Sequence, residues 1–147
     1  MKNSRVIKYS RIREFQQKRI DLLKQKIAAQ QQQVGLLKKQ RQERIAEMRL
    51  IESELSFASQ LLVGYEQSTL ALQRVQQLID ESSEQIQQAE SKLEILQQLW
   101  QREDRQLKSW EKLIELEQER LSSAHRIIDM RNADDRFLNT QFAGEYQ

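Results

Sequence analysis

Apolar side chains recur along the second half of the chain with a seven-residue beat. Leu72, Ile79, Ile86, Leu93, Trp100, Leu107, Ile114, Leu121 and Ile128 stand seven apart. Val75, Ser82, Ala89, Leu96, Glu103, Trp110, Glu117 and Ala124 fill the intervening positions, and 14 of these 17 are apolar. The first half carries its own frame: Ile20, Leu23, Ile27, Gln30, Val34, Leu37, Arg41, Arg44, Met48, Ile51, Leu55, Ala58 and Leu62, with 10 of 13 apolar and a polar gap at Arg41 and Arg44. Alternating spacings of three and four over so many turns predict long helices that pair as a coiled coil.

The two frames do not join. Continuing the first would put its next a position, seven after Leu62, on Thr69, whereas the second frame takes Leu72 as an a position. Between them lies Val63-Gly64-Tyr65-Glu66-Gln67-Ser68-Thr69, where Gly64 suits a left-handed residue after a helix and Ser68 or Thr69 can cap the next one. Gly35 sits between Val34 and Leu37 on the running seam and is read as interior, at a cost of about 1 kcal/mol. The expected fold is all-α: one helical-hairpin domain over 1–147, two long helices in an antiparallel coiled coil. Helix 1 is expected at about 5–63, a turn at about 64–69, helix 2 at about 70–133, then a flexible C-terminal tail. About 60 residues per helix would span about 90 Å.

Composition agrees. The chain has no proline and only 3 glycines in 147 residues, where a compact fold would use both at its turns. Its 24 glutamines add to a Leu, Glu, Lys, Arg and Ala bias that favours helix. Charge is divided: residues 1–49 carry 14 basic and 4 acidic side chains, residues 50–147 carry 10 basic and 18 acidic. Folding back near Gly64 lays a basic helix along an acidic one, although each exposed pair contributes only about 0–1 kcal/mol.

Several classes drop out. There is no apolar run of the roughly 18–20 residues that a membrane span needs, and no apolar stretch of a secretory signal follows the basic start. A cytoplasmic location is expected. Zero cysteines exclude a disulfide scaffold and thiolate zinc. One histidine, His125, lies off the seam, no phosphate-binding glycine loop is present, and acid pairs such as Asp134-Asp135 lack companion ligands. No catalytic residue, metal or cofactor is expected; the chain is not read as an enzyme. Gln30 to Gln33, lying between Ile27 and Val34, is a polar stretch of the seam rather than a low-complexity tract.

The basic N-terminus, Lys2, Arg5, Lys8, Arg11, Arg13, Lys18 and Arg19 against Glu14, has several readings. A leucine-zipper basic arm is one, but Arg41 and Arg44 interrupt the zipper and an acidic half follows. A membrane-surface helix is another, but Tyr9, Ile12, Ile20, Leu23 and Ile27 share an arc of about 80° that continues the seam. A solvated face and a dock for an acidic protein surface remain, so neither nucleic acid nor membrane insertion is expected. Trp100 and Trp110 fall on the seam as structural aromatics, and their uncovered ring surface is also the composition of a protein-binding anchor.

Trp100-Gln-Arg-Glu-Asp-Arg-Gln-Leu-Lys-Ser-Trp110, two tryptophans ten apart around a charged stretch, together with Met130-Arg-Asn-Ala-Asp134-Asp135-Arg136-Phe137 and the Gln76-Gln77-Leu78-Ile79 start of the second helix, resembles the FliJ/YscO (SctO, HrpO/InvI-like) family of type III secretion stalk proteins. The likeness in residues covers about 76–140, and in architecture the whole chain. Its glutamine-rich, proline-free character is nearer to injectisome members than to flagellar ones. The resemblance implies a fold similar to a rotary ATPase central stalk, linking a hexameric export ATPase to the cytoplasmic domain of an export gate and to secretion chaperones, peripheral to the inner membrane. It places ATPase contact at Arg5, Lys8, Arg11 and Arg13 with Arg126, Arg131 and Arg136. Gate contact would fall at Leu78, Ser82, Gln85 and Ala89, which are smaller or more polar than the flagellar pattern. The free protein is expected to be a monomer; the alternatives are a self-associating coiled-coil scaffold and a basic-arm nucleic-acid binder.

Overall fold

The computed structural model describes residues 4–61 and 64–145. The chain is all-α, two helices that pack against each other: α1, Ser4–Leu61, and α2, Tyr65–Glu145. Both run unbroken because no proline interrupts them, and Gly35 is tolerated mid-helix with nothing within 4 Å of where its Cβ would stand. Gly64 has φ 75°, the left-handed conformation expected of it. Its carbonyl accepts the first helical bond of α2, from the Ser68 amide at 3.0 Å.

Gly64 therefore stands at the head of α2, which begins at Tyr65 rather than near residue 70. Ser68 and Thr69 lie inside the first turn instead of capping it, and the Thr69 hydroxyl donates to the Tyr65 carbonyl at 2.8 Å. At the other end the helix passes residue 133, and the segment expected as a tail is helical to Glu145. Leu, Ala, Arg and Gln in that stretch are good helix formers, and its one glycine is Gly144. The expected seam positions Ala58 and Leu62, and the end of helix 1 at 63, lie outside the described side chains and residues.

The chain divides into two compact units. One comprises residues 1–20 and 102–147. In it α1 buries Gln16 and Ile20, the latter only 1% exposed, and α2 buries Glu103, Leu107, Ile114, Glu117 and Leu121. Tyr9, Arg13, Trp110 and Ala124 are half-buried on the same faces. Tyr9 meets Trp110, Gln16 meets Glu103, and the Arg19 guanidinium lies 3.2 Å from the Glu103 carboxylate. Ile128, expected on the seam, is exposed: beyond Ala124 none of the described side chains covers that face of α2.

The other unit is residues 21–101. Val34 from α1 and Val75, Ile79, Ile86 and Ala89 from α2 are buried. Leu23, Ile27, Gln30, Leu37, Arg44, Met48, Ile51, Leu55, Leu72, Ser82, Leu93, Leu96 and Trp100 are half-buried, so the expected frame, apart from the exposed Arg41, is the packed face. Gln30 donates to the Ala89 carbonyl at 3.0 Å, and Lys38 pairs with Glu90 at 3.0 Å. Burial of this partial kind yields on the order of 1 kcal/mol per side chain, so the length of the seam supplies the stability.

Candidate functional site

Residues of the expected gate contact line a groove of about 480 Å³ in the 21–101 unit. Leu78, Ser82 and Gln85 form the α2 wall with Glu81; Gln40, Glu43, Arg44 and Glu47 form the α1 wall. Helical spacing explains the α2 wall, since residues 78, 82 and 85 fall on one face at intervals of four and three. Leu78 is 37% exposed at the lip. The Ser82 hydroxyl turns inward to its own helix, donating to the Leu78 carbonyl at 2.8 Å. Arg44 is half-buried and tied to Glu47 at 3.3 Å, leaving Glu43 and Glu81 to give the groove an acidic rim. Ala89 belongs elsewhere: it is buried in the seam and, with Gln85, borders a second groove beside Gln30, Gln33, Leu37, Gln88 and Lys92.

The basic candidates all fall in the unit of residues 1–20 and 102–147. Arg5, Lys8 and Arg11 are exposed on α1, whereas Arg13 is half-buried on the packed side. Arg126, Arg131 and Arg136 are exposed on α2, but Asp129, Asp134 and Asp135 interleave with them, so that stretch has no net positive charge. Positive potential in this unit therefore comes from α1. It reaches Glu117, whose carboxyl is held below the usual carboxylate range chiefly by its bonds to Arg120, the shortest at 2.6 Å. Burial opposes this, and the charges of Arg120 and Arg5 reinforce it.

A polar layer that the sequence did not single out interrupts the same unit. The Gln16 amide donates to the Glu103 carboxylate, to the Glu103 carbonyl at 3.1 Å and, more distantly, to the Gln106 side-chain oxygen at 3.4 Å. Glu103 was visible as a polar break in the heptads. Gln16 stands four residues before Ile20, so extending the first frame backwards would have found its partner.

The two tryptophans have different surroundings. Trp110 packs on Tyr9, ring centroids 5.7 Å apart and planes inclined at 44°. Trp100 borders a groove with Lys24, Ile27, Ala28, Gln31, Gln97 and Gln101, and its buried indole N–H has no acceptor among the described residues. No helix among the described residues is long and apolar enough to cross a membrane. Compared with known proteins, the chain matches no family model, no curated protein and no solved structure.

Proposed function

We propose that this chain is an antiparallel coiled-coil stalk of a type III secretion export apparatus, joining a hexameric export ATPase to the export gate and to secretion chaperones at the cytoplasmic face of the inner membrane. The observation that carries the reading is the order of the cross-helix pairs. In one unit Tyr9 meets Trp110 and Gln16 meets Glu103. In the other, Lys24 and Ile27 share a groove with Trp100, Gln40 and Arg44 with Ser82 and Gln85, and Met48 with Leu72 and Gln76. Partner numbers fall as α1 numbers rise, as antiparallel pairing requires. Two paired helices measure about 20 Å across, a width suited to an axial ring channel. Exposed Arg5, Lys8 and Arg11 supply charge-assisted bonds for acidic pore loops. The Leu78, Ser82 and Gln85 groove supplies the gate contact.

The test is ATPase stimulation by the purified chain. Arg5→Glu, Lys8→Glu and Arg11→Glu together should abolish stimulation while helical circular dichroism stays unchanged; Arg13 is left in place because it lies on the packed side. Stimulation that survives with the salt dependence of the unaltered protein would reduce the basic face to a solvated one and remove the mechanism.

A further inference from the structure

The heptad frame of α2 does not stop where its cover does. Beyond Ala124 it continues through Ile128, Arg131, Asp135 and Leu138, yet every side chain described from His125 to Gln141 is exposed. Ile128 is 42% and Leu138 49% exposed, and neither Arg131 nor Asp135 has an ion-pair partner among the described residues. An Arg four residues before an Asp is the weaker orientation for a pair within one helix. The face thus continues an established packing surface and, among the described residues, has nothing packed on it.

Its order is apolar, basic, acidic, apolar. Reversed, it becomes apolar, acidic, basic, apolar, which is its own complement. We propose that this face binds the same face of a second copy, antiparallel, with Ala133 level with its own equivalent. Ile128 then packs on Leu138 of the second copy and Arg131 meets its Asp135, each pair occurring twice in an isologous contact. A parallel, in-register copy would set Arg131 on Arg131 and Asp135 on Asp135, so charge selects the antiparallel arrangement. Net charge offers no obstacle, since residues 125–141 hold three arginines against three aspartates. Three helical turns bury less than the roughly 1,000 Å² of a stable interface, so the association is weak and reversible. It does not depend on the stalk reading.

The chain has no cysteine, so introduced thiols report without interference. Equal amounts of Ile128→Cys and Leu138→Cys protein, at about 100 μM under mild oxidation, should form chiefly the mixed 128–138 disulfide dimer. Like positions would lie about 15 Å apart along the axis, beyond the roughly 7 Å that a disulfide spans between Cα atoms. Sedimentation equilibrium of the cysteine-free chain should show a monomer–dimer equilibrium. Arg131→Asp should weaken it about tenfold, the equivalent of 1.4 kcal/mol, and adding Asp135→Arg should restore it. Met130→Glu, on a different face, should leave it unchanged. Equal yields of all three disulfides, a dominant 128–128 product, no concentration dependence, or failure of the charge swap to restore dimerisation would each overturn the proposal.

Discussion

The Gln16 amide donates to the buried carboxylate of Glu103, so one polar layer crosses a seam that is otherwise mainly apolar. Arg19 closes the other side of that carboxylate at 3.2 Å. Such a layer stabilises little in itself, but it penalises any register that leaves Glu103 without its donors. Gln16→Leu should therefore destabilise the chain by about 1–3 kcal/mol, because a buried acceptor loses its partner. The double replacement Gln16→Leu with Glu103→Leu should recover that loss or exceed it in thermal melts. A double variant that is no more stable than Gln16→Leu would show that the layer stabilises the fold outright.

Tyr9 and Trp110 supply the aromatic contact of the same unit. A double-mutant cycle on Tyr9→Leu and Trp110→Leu should return a coupling of about 0.5–1.5 kcal/mol in urea unfolding. Additive single effects would mean that the rings are merely adjacent.

Glu117 makes stability depend on acid. Its folded carboxyl titrates below the unfolded one because Arg120 donates to it, with further help from the Arg120 and Arg5 charges. Across the acid range the folded state accordingly binds fewer protons than the unfolded chain, and stability rises with pH there. Glu117's share is fully present above the ordinary glutamate range and disappears as pH falls through its lowered folded value. Glu117→Gln should flatten the acid limb of the melting-temperature profile relative to the unaltered chain. An identical acid limb in the two proteins would discount the Arg120 bond.

Gly64 and Gly35 should respond in opposite directions to the same change. Gly64→Ala places a Cβ at φ 75° and should cost about 1–2 kcal/mol. Gly35→Ala puts one into open space in mid-helix and should stabilise by about 0.5–1 kcal/mol. Paired chemical melts of the two variants check both signs.

Much of this arrangement is legible in side-chain polarity. The faces from Ile20 to Leu55 and from Leu72 to Ala124 pack almost as the heptads predict, because the face a helix packs against its neighbour is specified by apolar spacing. Ile128 shows the limit: spacing marks which face of a helix is apolar and does not say whether anything covers it. Gln16 shows another, since a polar residue on the seam looks like a solvated one until its acceptor is located. Among the candidate site residues, Leu78, Ser82 and Gln85 do share a groove, as their helical spacing allows, while Ala89 is packed inward and Arg13 is half-buried. The acidic rim opposite Leu78 comes from α1, and only the pairing of the two helices brings it there.

The two indoles, ten residues apart in the chain, belong to different compact units. Trp100 has a sheltered N–H with no acceptor among the described residues, while Trp110 leans on a tyrosine ring that can transfer excitation to it. Replacing either with phenylalanine leaves a single emitter whose colour and anisotropy follow one unit alone. Sequential opening would then appear as two unfolding midpoints read through two intrinsic fluorophores, with no dye attached.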